Sequence, residues 1–337
     1  MRRAGVSWAL VVFFAGPATA SQMDAPPPPG PPDSAFVDED VVVDGTLSPT
    51  GIDPALRTPI EAALQARDYT RAETLLLEAL QAQPRSAEAL RLLGGVFFLR
   101  GRPLNAAVAY KKAEALAPLD ERSRFTLVMS YVALDRRNWA RPELETLLES
   151  SPRNPLYHYW TARLDYDDGQ FEPAVERLLR VIALDPGFMR AWDNLGLNYD
   201  ALGRFDDAVR SYEEALRLNR ASETPSPWPT LNLGLLLVKL DRLDEAETRF
   251  RESVAADPGF PQARYQLGLL LDKTGRPEEA IPELEEAARL DGGYAEPHFA
   301  LARLYRRAGD KDQARRALER FQEIKKKEEQ QPSPSSS

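Results

Sequence analysis

The sequence predicts an all-α solenoid of eight stacked helix-turn-helix units, and three in-phase series of residues predict it. Alanine recurs at Ala72, Ala106, Ala140, Ala174, Ala208, Ala246, Ala280 and Ala314, every 34 residues except for one step of 38. Small residues keep the same phase at Gly94, Ala162, Gly196, Gly234, Gly268 and Ala302, and glycine returns at Gly101, Gly169, Gly203, Gly275 and Gly309. Proline falls at Pro84, Pro118, Pro152, Pro186 and Pro258, where it ends a helix because it has no amide hydrogen and clashes with the preceding turn. A lone helical hairpin has two apolar faces and buries only one, so each copy needs neighbours.

The fifth unit shows the pattern most clearly. In Ala191 to Asn219, Trp192, Leu195 and Tyr199 recur at three and four and form one apolar helix face. Gly196 on that face leaves room for a second helix bearing Ala208, Tyr212 and Ala215, and Gly203 between them suits a left-handed helix cap. These offsets, W-x2-L-G-x2-Y followed by A-x3-F/Y, resemble the tetratricopeptide repeat family. The resemblance spans about four fifths of the chain. It implies a right-handed superhelix whose first helices line a concave groove that receives a peptide or a partner's helix.

In chain order, Met1 to Ala20 carries Arg2 and Arg3, an apolar run from Val6 to Ala15 and small residues ending in Ala18-Thr19-Ala20. That order is expected of a secretory signal cleaved before Ser21. The alternative is an uncleaved membrane anchor, against which the apolar run is short beside the ~20 residues a span needs. Residues 21–52 hold the Pro26 to Pro32 tract, then Asp38-Glu39-Asp40 and Val41-Val42-Val43. They read as a disordered, acidic, proline-rich linker, with two other roles open for the valines: a short added strand, or a stretch lying in the groove.

Phasing on the alanines sets the repeats at 53–86, 87–120, 121–154, 155–188, 189–222, 227–260, 261–294 and 295–328, with a disordered tail over 329–337. Two units depart from the pattern. The first has Pro59 and Ile60 where leucine and glycine belong, and the third has Val128 for the small residue and Arg136 for the cap. Their junctions are expected to be looser or differently angled. The extra four residues fall within Glu223 to Pro229, whose prolines predict a longer inter-repeat loop. The second helix of the last unit turns strongly charged, as befits a face on which nothing stacks.

With 43% apolar and 28% charged residues, the composition is that of a folded chain. The absence of cysteine excludes disulfides, thiolate metal sites and cysteine nucleophiles. No phosphate loop, paired-histidine metal helix or nucleophile elbow is present. His158 and His298 lie four units apart and cannot share a metal; both read as packing or surface imidazoles. Neither a catalytic constellation nor a cofactor site is expected. Loss of Arg2 and Arg3 leaves 41 basic against 52 acidic residues, a formal charge of −11, which argues against a nucleic-acid surface.

Mapping the groove positions of the resembled family onto this chain gives Phe125, Met129, Tyr159, Arg163, Tyr166, Asn194, Trp228, Asn232, Lys239, Gln266, Lys273, Arg303, Arg306 and Arg307. For the aromatic residues two readings stand: binding anchors, or rings packed between adjacent first helices. Asn194, Asn232 and Gln266 stand in phase, similar to the side-chain amide ladders with which some family members grip an extended backbone, though asparagine is also common there in ordinary repeats. Lys239, Lys273 and Arg307 are in phase near helix C-termini, which the helix dipole favours on its own. The tail-carboxylate clamp of the family's chaperone-binding members is not matched, because Arg57, Glu61, Leu92, Arg122 and Thr126 occupy its positions.

The reading is an exported, periplasmic or secreted, non-catalytic scaffold that binds a protein or peptide partner in its groove, with no membrane span once the signal is removed. A second binding mode uses the convex face or the ends to assemble an envelope complex. The rival class is a recognition subunit acting for a separate enzyme, for example a transferase.

Overall fold

The computed structural model describes residues 51–330, so the expected signal, nearly all of the linker and residues 331–337 lie outside the described residues. Sixteen α-helices and no strands occur among the described residues. They run as pairs: α1 (Pro54–Gln65) with α2 (Tyr69–Ala82), α3 (Ala87–Leu99) with α4 (Pro103–Glu114), α5 (Glu121–Ala133) with α6 (Arg137–Ser150), and α7 (Pro155–Asp167) with α8 (Phe171–Leu184). The second half continues with α9 (Met189–Ala201) and α10 (Phe205–Arg220), α11 (Trp228–Lys239) and α12 (Leu243–Ala256), α13 (Pro261–Lys273) and α14 (Pro277–Leu290), and α15 (Ala295–Arg307) and α16 (Lys311–Gln330).

The small residue of each first helix works through one partner, the residue sixteen positions on. A Cβ placed on Gly196 would meet the Tyr212 ring at 2.6 Å, and one on Gly94 would meet Tyr110 at 2.9 Å. The first helix therefore lies directly on an aromatic ring of the second. Where the first helix carries a larger residue the partner shrinks: Ile60, Val128 and Ala162 pair in sequence with Leu76, Leu144 and Leu178, all fully buried. The exchange is not strict, because in the seventh unit Gly268 also faces a leucine, Leu284, which a Cβ would meet at 2.6 Å.

The turn between the paired helices needs one left-handed residue. Gly101, Gly169, Gly203, Gly275 and Gly309 supply it with φ of 66° to 81°. In the remaining units Arg67, Asp135 and Asp241 take the same conformation, with φ of 53° to 57°. The cap of the third unit is thus Asp135, and the expectation of Arg136 was displaced by one residue; Asp135 is the position 34 residues from both Gly101 and Gly169.

Helices touch only their chain neighbours and the first helix of an adjoining unit. First-helix backbones approach within 8 Å across α3 and α5, α7 and α9, α9 and α11, α11 and α13, and α13 and α15, whereas no two second helices do. The stack therefore curves with the first helices on its inner side. The α1–α3 and α5–α7 junctions lack the approach, and these follow the first and third units, where the crossing residues are the bulky Ile60 and Val128.

Two details depart from the expected boundaries. Ile52, placed in the linker, is 3% exposed and joins the core. The Gly51 carbonyl accepts from the Ser86 hydroxyl, and the Arg57 guanidinium donates to the Ile52 carbonyl at 3.4 Å. At the other end, α16 runs two residues past 328. The longer loop after α10 is held by Asn219, which donates to the Ser226 carbonyl and accepts from its amide, both at 2.8 Å.

Candidate functional site

The predicted groove residues all lie on first helices, but in unequal roles. Phe125 and Met129 are each 3% exposed and Tyr159 2%. The Phe125 ring lies 5.4 Å from Tyr157, and Tyr159 lies 5.7 Å from Trp160 and 5.2 Å from Phe188. All three side chains are enclosed within the inner layer. Tyr166 and Trp228 remain partly exposed, beside Phe171 and Phe260 respectively.

The in-phase amides form a chain of contacts from helix to helix. Asn194 on α9 donates to the Tyr159 hydroxyl of α7 at 3.2 Å and to the Arg190 carbonyl at 3.0 Å. Asn232 on α11 donates to both carboxylate oxygens of Asp193 on α9, at 3.1 and 3.0 Å. Asn198 donates to the Asn194 carbonyl at 2.8 Å. In all three the amide hydrogens are spent inside the protein, while Oδ1 is buried and accepts no hydrogen bond. A buried carbonyl without a donor costs on the order of 1–3 kcal/mol, and three such oxygens, two of them at ladder positions, lie in this layer. Gln266, in phase with them on α13, is half-buried.

Asp193 is 7% exposed in this layer. Burial pushes its carboxyl up to about 6, against the Asn232 hydrogen bond and the Arg163 and Arg190 charges that pull it down. Arg163 on α7 is half-buried, with Nε enclosed and without an acceptor. It lies near enough to Tyr159, Tyr166, Asp167 and Asp193 to influence their ionisation. No carboxylate among the described residues forms an ion pair with it.

The basic residues further along are mostly committed. Lys239 pairs with Asp200 at 2.9 Å and stands 5.1 Å over the Phe205 ring. Arg303 and Arg307 both pair with Asp272, the former at 3.2 Å, and Lys273 lies 4.0 Å from Asp241. Arg306 is exposed. The charge of these in-phase basic residues is therefore largely neutralised by Asp200 and Asp272, which the reading of the sequence passed over. Their signal was available: both occupy the same repeat position, one unit before the lysine or arginine they hold.

The histidine reading gains a physical basis. The His158 ring Nε2 contacts the Pro152 carbonyl at 2.9 Å, as the Trp192 indole does Pro186 at 3.1 Å and the Arg264 Nε does Pro258 at 3.1 Å. At one repeat position, three different donors satisfy the carbonyl left open by the inter-repeat proline turn. Burial lowers the His158 pKa, opposed by that carbonyl contact. On the outer surface, Leu104, Val108 and Trp139 are 60%, 47% and 50% exposed. No helix among the described residues is long and apolar enough to cross a membrane.

Sequence profiles of the tetratricopeptide repeat match residues 60–121, 125–187 and 231–295, and two further profiles of the same repeat match 189–222 and 273–331. The TPR repeat-containing protein YpiA of Bacillus subtilis (strain 168) is 24% identical over 125 residues, which are 37% of this chain. The match spans 28% of that protein's length. The structure of yeast Tom70 is similar with a TM-score of 0.58 at 16% identity, covering 89% of this chain and 71% of that one. A chain of the APC/C hetero-tetramer Cut9-Hcn1 is similar with a TM-score of 0.59 at 16% identity, covering 73% and 48%. These likenesses are likenesses of fold.

Proposed function

Because the chain belongs to the tetratricopeptide repeat family, we propose that it is an exported, non-catalytic scaffold whose inner face grips an extended segment of a partner protein. The observation that carries this is the row of buried Oδ1 atoms without a donor on Asn194, Asn198 and Asn232, next to Arg163, whose enclosed Nε has no acceptor. An extended backbone presents amide hydrogens at regular intervals along its length, and such hydrogens are what these oxygens lack. Arg163 suits a carboxylate of the same segment, because a guanidinium donates in a planar fork to a carboxylate. Half-buried Tyr166 and Trp228 supply apolar contact on either side. The buried side chains of Phe125, Met129 and Tyr159 then shape the wall rather than touch the ligand.

The test is site-specific photo-crosslinking in the native compartment. A photoreactive residue at Gln266, on the inner layer, is expected to capture a discrete protein, and capture is expected to fall at least fivefold when Arg163→Glu is added. Capture that is unchanged by Arg163→Glu contradicts the inner-face reading. The exposed Leu104, Val108 and Trp139 favour a second reading, docking on the outer face. A photoreactive residue at Leu104 distinguishes it. Export is the companion proposal, resting on the Arg2-Arg3, apolar and Ala18-x-Ala20 order. N-terminal sequencing of the native protein is expected to begin at Ser21, and an intact Met1 would contradict cleavage.

A further inference from the structure

We propose that the cavity between the start of α7 and the face of α8 is a binding site for a single carboxylate that the described residues do not themselves supply. Its wall is His158 from α7 with Pro173, Glu176, Arg177 and Arg180 from α8. None of these belongs to the predicted groove, so the site stands or falls independently of the inner face.

The other repeats show what this one lacks. In the third unit the fourth residue, Arg124, donates to Glu143, nineteen positions on. In the seventh unit Arg264 likewise donates to Glu283, nineteen positions on, at 2.8 Å. There the chain fills the space between its paired helices with an ion pair of its own. In the fourth unit the same two places hold His158 and Arg177. A guanidinium stands where the glutamate belongs, and the pair has no acid.

The cations in the wall keep donors to spare. Asp165 is 1% exposed and accepts from Arg177 Nε at 2.8 Å and from Arg141 of α6 at 2.7 Å. One carboxylate is thus shared by two guanidinium groups. It fixes Arg177 through Nε and leaves both terminal nitrogens without an acceptor among the described residues. Arg180 is exposed and has no ion pair or hydrogen bond among them. Glu176 is the one acid in the wall, and it too is in no described ion pair.

Charge and space select the ligand. Burial, and then the charges of Arg180 and Arg177, lower the His158 pKa against the Pro152 carbonyl contact, so the ring is neutral at pH 7. Two guanidinium groups against Glu176 leave a surplus of one positive charge, which suits a monoanion better than a dianion. A guanidinium presents a planar fork of donors that matches a carboxylate. The cavity, about 510 Å³, holds far more than one water of about 30 Å³ and has room for the group that bears the carboxylate. The enclosed, unpartnered Nδ1 of His158 marks the same wall as short of polar partners.

The eighth unit provides a reference within the chain. His298 occupies the place of His158, but the residue nineteen positions on is Ala317. Arg320, which corresponds to Arg180, is spent on Glu323 at 3.2 Å and on the Gly292 carbonyl at 3.1 Å. That unit has the imidazole without the spare cations.

The test uses the full chain, in which these are the only two histidines, so their ring resonances are followed separately by NMR. The probes are a glutamate blocked at both ends of its backbone, the matching blocked glutamine, acetate and sulfate, at pH 7 and constant ionic strength because salt screens exposed charges. The blocked glutamate is expected to shift His158 saturably and to leave His298 unmoved, and the blocked glutamine to shift neither. Arg180→Gln is expected to weaken binding at least fivefold and Glu176→Gln to tighten it at least twofold; both positions are exposed, and unchanged His298 resonances confirm the fold. Tighter binding of the blocked glutamate than of acetate assigns the carboxylate to a polypeptide, and the reverse assigns it to a free acid; both support the site. No saturable shift at His158, an equal response to the blocked glutamine, or unchanged affinity in Arg180→Gln overturns it. Sulfate binding more tightly than either carboxylate overturns the assignment to a monoanion.

Discussion

At the scale of single residues, the buried carboxyl of Asp193 makes the account measurable. Its pKa rises from 3.8 to about 6 because burial outweighs Asn232, Arg163 and Arg190. A carboxyl raised on folding stabilises the fold relative to the unfolded chain while it stays protonated, and that contribution is lost as pH climbs through about 6. The gap between 3.8 and about 6 corresponds to at most about 3 kcal/mol. Urea denaturation of the wild-type chain is therefore expected to show stability falling by about 1–3 kcal/mol from pH 4.5 to pH 7.5 relative to Asp193→Asn. Parallel pH profiles for the two proteins would contradict the burial argument. The repeat phase places Asp193 on a first helix beside Asn194 but says nothing of its state. That state depends on Asn232, 39 residues away, and on the local exclusion of water, and repeat phase encodes neither. The basic residues failed to read for the same reason: Lys239 and Arg307 were counted without Asp200 and Asp272, the charges that hold them.

At the scale of the helical pair, the 34-residue period specified nearly everything, because each crossing reuses the same two positions. The Cβ of Gly196→Ala would lie 2.6 Å from the Tyr212 ring, and overpacking of this kind costs about 1–3 kcal/mol. Adding Tyr212→Leu is expected to recover at least half of the loss, since the fourth unit already combines Ala162 with Leu178. If the double variant were the sum of its parts or worse, the exchange of volume across the crossing would be the wrong explanation. The cap makes a second case. Asp135 holds a left-handed backbone with φ of 53°, a conformation that strains most side chains. Asp135→Gly is expected to raise the unfolding free energy by about 0.5–1 kcal/mol, net of the extra freedom glycine brings to the unfolded chain. A lower denaturation midpoint would count against it.

At the scale of the whole molecule, curvature follows from which helices meet. First helices approach one another and second helices do not, so polar groups of the first helices collect along the inside of the stack. The stacking was legible in the sequence because alanine, glycine and proline positions repeat. The narrowing of the groove by buried rings was not, since the same aromatic residue serves as anchor or filler according to how closely its neighbour packs. Nearest-neighbour contact also predicts that damage stays local. In Gly196→Ala, amide hydrogen exchange is expected to quicken in units four to six and to leave the first and last units unchanged, and uniform quickening would contradict a solenoid. The central claim concerns the inner face itself. The most direct measurement is a titration of the captured partner against four full-length proteins: wild type, Arg163→Glu, Asn232→Leu, and Leu104→Glu combined with Val108→Glu. The account predicts that each inner-face substitution weakens binding at least 10-fold, with the outer-face pair within twofold of wild type; loss of binding only in the outer-face pair would contradict it.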